Sequence, residues 1–145
     1  MKALIQRVKK ASVTIEEKLY SEIGFGMLIF LGVEKPDELE NEQKLAEKLL
    51  NMRIFEDEQG KMNKSLIDIK GEILVVSQFT LAADCKKGTR PSFDKAAGAE
   101  KANKLYEDFV KIIAQSTLTV KTGKFQAMMD ISLINDGPVT FLVEK

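Results

Sequence analysis

The sequence of 145 residues contains no histidine. Histidine is the side chain that most often exchanges protons near neutral pH, and it activates serine and cysteine nucleophiles. Its absence excludes Ser-His and Cys-His catalytic pairs and the usual ligand sets of zinc. Any catalysis must therefore use carboxylates, lysines, hydroxyl groups, backbone dipoles or groups that the substrate brings.

Disulfides, net charge and long apolar segments are missing as well. The single cysteine, Cys85, has no partner for an intrachain disulfide, which fits a reducing cytoplasm. Lys plus Arg and Asp plus Glu each total 22, so no global charge attracts nucleic acid or membranes. The longest apolar run, Met27–Val33, is far too short to span a membrane, and the N-terminus carries charge too early for a signal peptide. We therefore expect a soluble cytoplasmic protein without a membrane partner.

The sequence that is present has the pattern of one small mixed domain, residues 1–145. Short apolar and β-branched runs predict strands, and apolar residues at helical spacing predict two helices. The first helix is expected to have Asp37 as N-cap, with Glu40 closing a capping box, and to end near Met52. The second is expected from about Glu100 to Gln115. The predicted strands are Ala3–Val8, Ser12–Ile15, Met27–Val33, Ile73–Val76 and, approximately, 117–122, 127–134 and 139–143.

Strands outnumber helices, and two helices can cover only part of a sheet. We therefore expect an α/β fold, α+β-like, of three layers: two barrel-like β-sheet layers and the helices packed on one side. Asn135-Asp136-Gly137-Pro138 separates the last two predicted strands and favours a hairpin turn. Pro138 removes a backbone donor where the second strand should begin pairing. Either it stiffens the turn, or the Gly-Pro unit presents backbone atoms to a ligand.

Polar residues follow the strand Ile73–Val76 at the point where it enters a loop. Ser77, Gln78 and Thr80 offer hydroxyl and amide groups, none of which titrates near neutral pH. Strand ends of this kind are frequent places for functional groups. The same residues also fit a purely structural role, in which the polar groups satisfy the loop backbone and Phe79 lies in the core.

The following loop, Ala82–Gly98, is long for a small domain, and such loops are more often functional than idle. Cys85 lies beside cations but has no histidine to act as its base, so an incidental thiol is favoured over a nucleophile. Lys86, Lys87 and Arg90 form either a solvated loop or a phosphate contact. The aspartates show no spacing typical of metal binding, and we expect neither a metal nor a cofactor.

Five stretches resemble one family, the D-aminoacyl-tRNA deacylases, also called D-tyrosyl-tRNA deacylases. They occur in the right order over essentially the whole chain, and the pairing of Ser77-Gln78 with Gly137-Pro138 makes the resemblance specific. The stretches are Met1–Val8, Arg53–Asn63, Ser77–Leu81, Lys87–Phe93 and Asn135–Thr140. The stretch Lys124–Met129 differs from many relatives, which leaves the packing of the pocket floor open.

The resemblance implies an editing hydrolase that cleaves the ester joining a D-amino acid to the 3′-terminal adenosine of tRNA. A related activity removes glycine mischarged onto the tRNA for alanine. It also implies a homodimer that requires no metal and no other protein partner. Gly137-Pro138 would have a cis peptide bond and would reach into the active site of the partner subunit, where its carbonyls exclude L-amino acids.

The resemblance assigns the remaining site residues as well. Catalysis would use Ser77, Gln78, Phe79 and Thr80, either with Thr80 as nucleophile or with the ribose 2′-OH activating water and backbone N–H groups near Phe79 and Thr80 binding the oxyanion. We favour the second, because no base is evident for Thr80. Met129 and Ala102 would lie at the pocket wall and Arg7 near the Gly-Pro unit, with Lys86, Lys87 and Arg90 as tRNA contacts. The alternatives are a non-catalytic RNA-binding module that uses the basic loop and a β-rich interaction protein.

Overall fold

One long strand, β1 (Lys2–Ile15), organises the sheet. The structure is a computed structural model that describes every residue from Met1 to Lys145. Along one edge, β1 pairs with β8 (Asp130–Glu144) over nearly its whole length. Along the other edge, β3 (Gly26–Gly32) pairs with its first half and β2 (Lys18–Ile23) with its second half. All three pairings are antiparallel.

Two parallel strands extend this sheet and bend it toward closure. β6 (Glu72–Ser77) lies beside β3, and β7 (Val120–Thr122) lies beside β6. The Ser21 hydroxyl of β2 donates to the Thr122 carbonyl oxygen of β7 at 2.8 Å, so the two ends of the sheet meet. The remaining elements are α1 (Leu39–Asn51), β4 (Phe55–Glu56), β5 (Met62–Lys64), α2 (Leu66–Ile69), a 3₁₀ turn (Phe79–Ala82) and α3 (Ala99–Ala114).

The curved sheet separates two apolar cores. Along β6, Ile73 and Val75 face the helices and belong to a core of 21 buried residues. Leu74 and Val76 point to the opposite face, into a core of 7 buried residues between the two β layers. This alternation is the period of an extended strand buried on both faces. The predicted arrangement, two barrel-like β layers with helices on one side, is therefore confirmed. None of the helices has both the length and the apolar content that a membrane span requires.

Two long strands replace four predicted short ones. The predicted strands Ala3–Val8 and Ser12–Ile15 are parts of β1, which continues while its neighbour changes from β3 to β2. The predicted strands 127–134 and 139–143 fall largely within β8, so the prediction of a hairpin turn at 135–138 is wrong. Val8 pairs with Asn135 and Gln6 with Thr140, which leaves residues 136–139 opposite Arg7 alone. The Asn-Asp-Gly-Pro stretch is a β-bulge in a continuous strand.

The beginning of α1 also differs from the prediction. Glu38 is the N-cap, and the Asn41 side chain closes the capping box. Asp37 is buried instead, and its carboxylate accepts from the Met1 ammonium at 2.5 Å and from the Glu34 N–H at 2.7 Å. A carboxylate before a helix can act either as the N-cap or as the partner of a cation. In Asp37 the position of the distant N-terminus decides for the second role. β2, β4, β5 and α2 were not predicted, whereas α3 lies within one residue of its predicted bounds.

Glu42 is a buried carboxyl group in the face of α1 that packs toward α3. Its side chain is fully buried, and neither carboxylate oxygen has a hydrogen-bond partner. Burial raises the pKa of Glu42 to about 7; Asp108 raises it further, while Lys104 and Lys111 oppose the shift. The proton is therefore held more tightly in the folded chain than in the unfolded chain, so folding stability decreases as the pH rises from about 4.5 to about 7.

Replacing Glu42 with Gln removes this titration. Relative to the wild type, we expect the free energy of unfolding of Glu42→Gln to increase between about pH 5 and about pH 8, by up to roughly 3 kcal/mol. Urea denaturation at both pH values measures the difference. Glu47→Gln, on the exposed side of α1, is the matched control and should show no such change. An equal offset of Glu42→Gln at both pH values would contradict the assignment.

Candidate active site

The polar segment after β6 forms one side of a pocket. Ser77 ends β6, and Gln78 leads into the 3₁₀ turn Phe79–Ala82. The Gln78 N–H donates to the Leu31 carbonyl oxygen at 2.8 Å, which continues the pairing with β3 by one residue. Gly32 permits this close approach, because a Cβ there would lie 2.9 Å from Cβ of Leu81. The polar groups thus emerge from a rigid strand end.

The pocket has a volume of about 780 Å³ and lies between this turn, the start of α3 and the segment before β8. None of its lining side chains is ionisable, so the walls offer no acid, base or cation. Across the whole chain, no three His, Cys, Asp or Glu side chains are grouped to hold a metal. The lining residues are Val33, Val76, Ser77, Gln78, Phe79, Ala97, Ala99, Ala102, Phe125, Gln126, Ala127, Met128, Met129 and Ile131.

Five of the residues that the sequence singled out meet in this pocket. They come from β6 and the turn after it, from α3 and from the segment before β8: Ser77, Gln78, Phe79, Ala102 and Met129. Thr80 is exposed and is not part of the wall. Its hydroxyl oxygen accepts a hydrogen bond of 2.6 Å from the Gln78 side-chain amide. At the start of the turn, the backbone N–H groups of Phe79 and Thr80 donate to no carbonyl oxygen of a loop or turn.

Tyr106 fixes α3 against the strand that leads to the pocket. Its buried hydroxyl donates to the Val75 carbonyl oxygen at 2.9 Å, two residues before Ser77. Burial raises the pKa of Tyr106 to about 12, so this hydroxyl keeps its proton and remains a donor. The tyrosine thereby sets the distance between α3, which carries Ala102, and β6. No sequence pattern predicts this role, because Tyr106 lies among the buried apolar positions of the helix.

The segment before β8 forms the floor, where the sequence resemblance was weakest. Met129 lies over Gly123, where an added Cβ would be 2.8 Å from its sulfur. Gln126 has a positive φ of 60°, and Met128 is 90% exposed at the rim. Phe125 packs beside Tyr106 with ring centroids 6.0 Å apart. The sequence does not predict Phe125, Gln126 or Met128 as lining residues, because this irregular segment follows no apolar period.

The basic loop, Ala82–Gly98, runs from the turn beside the pocket to the start of α3. Phe79 and Phe93 pack at the edge of the pocket in a tilted arrangement, with ring centroids 5.1 Å apart, and Phe79 is exposed rather than part of the core. Lys86, Lys87 and Arg90 lie outside the pocket wall and are exposed. Cys85 is also exposed and does not line the pocket.

The Gly-Pro bulge does not line the pocket of its own chain. The Gly137-Pro138 peptide bond is cis, as the resemblance implies, and both residues are exposed. Asn135 spans the bulge by donating from its amide to the carbonyl oxygens of Arg7 and Val139, at 3.0 and 3.1 Å. Arg7 is buried under it, and its Nε pairs with the Asp136 carboxylate at 2.8 Å.

Arg7 also ties the bulge to the rest of the molecule. Nε donates to the Asp136 carbonyl oxygen at 3.0 Å, and Nη1 donates to the Ile54 carbonyl oxygen at 2.7 Å. Nη2 reaches the Glu56 carboxylate at 3.2 Å. A planar guanidinium suits such a set of acceptors, which a lysine could not satisfy together. Arg7 therefore acts as a positioning residue for the bulge rather than as part of a surface ion pair.

The chain is similar to known proteins over nearly its whole length. A sequence model of the family described as D-Tyr-tRNA(Tyr) deacylase matches residues 4–144. The D-aminoacyl-tRNA deacylase of Geotalea daltonii is 58% identical over 144 residues, covering 99% of this chain and 96% of the relative. That of Syntrophus aciditrophicus is 54% identical over 145 residues, covering 100% and 97%.

Two solved structures share the fold. A chain named c-Myc DNA Unwinding Element Binding Protein has a TM-score of 0.95 at 42% identity, with 100% of this chain and 99% of that chain covered. A probable eukaryotic D-amino acid tRNA deacylase has a TM-score of 0.83 at 16% identity, with 99% and 98% covered. The family match and the full-length relatives show that the protein is a hydrolase of the aminoacyl-tRNA ester bond, as predicted. The chain belongs to the D-Tyr-tRNA(Tyr) deacylase family.

Replacing Arg7 tests its positioning role. Arg7→Met should lower the free energy of unfolding by about 3 kcal/mol, because it leaves the Asp136 carboxylate and the Ile54 carbonyl without their buried partner. Chemical denaturation measures the loss, and amide exchange should speed up in residues 135–140. Lys9→Met is the control, since Lys9 lies on the same strand but is exposed and has no ion pair. Equal effects of the two variants would contradict the role given to Arg7.

Proposed function

We propose that the protein is an editing hydrolase that cleaves the ester joining a D-amino acid to the 3′-terminal adenosine of tRNA. The observation that carries this proposal is the pocket at the end of β6, which joins the Ser77-Gln78-Phe79 segment to Ala102 and Met129 in a member of a deacylase family. Residues 1–145 act as one deacylase domain, in the cytoplasm. Glycine esterified to the tRNA for alanine is a further substrate.

The chemistry relies on the substrate and the backbone. Water attacks the ester carbonyl, the bond to the ribose oxygen breaks, and this oxygen receives a proton as the D-amino acid leaves. Since no ionisable side chain lines the pocket, the ribose 2′-OH assists the attacking water. The N–H groups of Phe79 and Thr80 have no loop acceptor and are suited to bind the oxyanion. Thr80 is a poor nucleophile, because the only polar contact of its hydroxyl is the amide of Gln78.

Gly137-Pro138 supplies the selection against L-amino acids, from the partner subunit. Its exposure and its position outside the pocket of its own chain support this role. The carbonyl groups of the bulge occupy the place of an L side chain, whereas a D side chain or a hydrogen atom fits. Arg7 and Asn135 hold these atoms in position. Selectivity by exclusion requires a rigid obstacle, which this double attachment provides.

The homodimer is supported by an apolar row on the sheet. Leu4 pairs with Leu142 on one side and with Phe30 on the other, and Leu142 is 56% exposed. Leu4 and Phe30 alternate with residues that face the helices, so the row lies on the opposite face of the sheet. Leu4 and Phe30 are half-buried, so the row is partly exposed, and an apolar row of this kind across three strands is typical of a surface that another protein covers. A second copy of the chain on this face brings β8 and its bulge into the interface.

Lys86, Lys87 and Arg90 are proposed to contact the tRNA backbone, since they are exposed and make no ion pair. The same loop supports the second candidate function, a non-catalytic nucleic-acid-binding module. The name of the 42% identical neighbour, a DNA unwinding element binding protein, also favours this alternative. Binding without hydrolysis, with an affinity that falls steeply with salt, distinguishes it from the enzyme.

The deciding experiment compares matched tRNA esters. We expect the purified protein to release D-tyrosine from D-tyrosyl-tRNA at least about 100-fold faster than L-tyrosine from the L-ester, a ratio that corresponds to about 2.7 kcal/mol. Glycyl-tRNA for alanine should also be hydrolysed. Released amino acid is measured at one enzyme concentration. If neither tyrosyl ester is turned over, the enzyme proposal fails.

Two variants in the same assay separate the mechanisms. Thr80→Ala should remain within about tenfold of the wild type, whereas the loss of a true nucleophile lowers turnover by roughly a millionfold. Cys85→Ser serves as the control and should have no effect. A folded but inactive Thr80→Ala would transfer the chemistry to Thr80.

Disrupting the apolar row tests the dimer. The wild type should have twice the chain mass of 16.2 kDa. Leu142→Asp places a charge in the proposed interface and should produce a monomer that hydrolyses D-tyrosyl-tRNA at least about tenfold more slowly. Light scattering after size exclusion gives the mass. Leu39→Asp, an exposed leucine on α1, should stay dimeric. A Leu142→Asp variant that remains dimeric and active refutes this interface.

A further inference from the structure

Two exposed phenylalanines at the mouth of the pocket have no role in the fold. Phe79 is 55% exposed and Phe93 is 41% exposed, and neither belongs to the two apolar cores. Their rings lie 5.1 Å apart at an interplanar angle of 56°. Phe79 lines the pocket, whereas Phe93 lies outside it. The pair therefore extends an aromatic surface from the pocket wall to the protein surface.

The backbone that carries Phe93 is held in place on both sides. Immediately before it, Ser92 and Asp84 exchange two backbone hydrogen bonds, of 2.8 and 2.9 Å. After it, the Ala96 N–H donates to the Phe93 carbonyl oxygen at 3.0 Å, and the Ala97 N–H donates to the Val33 carbonyl oxygen at 3.0 Å. The backbone of residues 84–97, the strap, is therefore fixed on both sides of the ring. A preformed aromatic face loses little entropy when a ligand stacks on it.

The charge of the same strap indicates the ligand. Asp84 pairs with Lys95 at 3.4 Å, whereas Lys86, Lys87 and Arg90 make no ion pair and outnumber Asp94, the remaining carboxylate of residues 84–97. These three cations lie between Asp84 and Ser92, in a chain whose formal net charge is zero. Exposed aromatic rings next to unpaired cations are the combination that binds single-stranded nucleic acid, through stacked bases and neutralised phosphates. An apolar protein partner would leave the cations unused.

We infer that Phe93, supported by Phe79, stacks on the base that precedes the 3′-terminal adenosine of the tRNA. The inference rests on the proposed function, because the ester must lie in the pocket. A strand whose terminal nucleoside enters beside Phe79 meets Phe93 next and then the cations of the loop. The protein accordingly recognises the single-stranded 3′ end over more than one nucleotide. Phe93 contacts the RNA away from the reacting atoms. An ester that is too short to reach Phe93 is therefore a poorer substrate than a longer one.

The test compares two esters of the same D-amino acid, one on adenosine and one on the trinucleotide CCA. The wild type should show a larger kcat/KM for the trinucleotide ester. In Phe93→Ala, the ratio of the two kcat/KM values should fall about tenfold, the effect expected for one lost base–aromatic stack. Phe93→Trp should keep the ratio, and Phe93→Leu should lose it, because leucine retains apolar area without an aromatic face. An unchanged ratio in Phe93→Ala, or a ratio preserved in Phe93→Leu, overturns the inference.

Controls separate this inference from the proposed function. Phe25→Ala removes an equally exposed ring whose partner, Phe55, lies away from the pocket, and its ratio should equal that of the wild type. Fluorescence anisotropy of a labelled CCA trinucleotide without an esterified amino acid measures binding without hydrolysis. Phe93→Ala should bind this trinucleotide about tenfold more weakly than the wild type, both at low and at high salt. If the wild type hydrolyses neither ester nor D-tyrosyl-tRNA, the proposed function fails, and the binding assay still decides on Phe93. If it hydrolyses both esters equally well, the function stands and the stacking site is refuted.

Discussion

The pairing of β1 with three other strands is the constraint on which the structure depends. β3 and β2 share one edge of this strand, so the sheet must bend where the neighbour changes. The bend brings β2 to β7 and leaves one apolar core inside and another under the helices. The opposite edge carries β8 along nearly its whole length. Both the pocket, at the end of β6, and the Gly-Pro bulge derive their positions from this one ladder.

The pocket shows how much chemistry a site can hold without ionisable side chains. Its walls are apolar except for Ser77, Gln78 and Gln126. In so apolar a cavity, fixed backbone N–H groups act more strongly on a developing negative charge than they do in water. The missing histidines are consistent with this arrangement. Selection and catalysis under the proposed function both fall to main-chain atoms, which no substitution of a side chain removes directly.

Sequence reasoning succeeded where local pattern decides the outcome. The continuous apolar run of β6 and the helical period of α3 predict buried elements, and the abrupt change at Ser77 marks the edge of the pocket. It failed where distant partners decide. Asp37 caps no helix, because the ammonium of Met1 lies next to it. Asn135–Pro138 is no hairpin, because β1 is long enough to continue pairing beyond it. The proposed link between Gly137-Pro138 and Ser77-Gln78 comes from the motifs and not from the periodicity.

The clamped bulge has a mechanical consequence. Ladder hydrogen bonds hold β8 on both sides of residues 136–139, and Arg7 and Asn135 hold the bulge itself. Its backbone therefore moves with β1 as one stiff body and cannot yield alone when a molecule presses against it. Under the proposed function, the stereochemistry of the arriving aminoacyl group alone therefore decides whether it fits beside the bulge, without a conformational change of the protein.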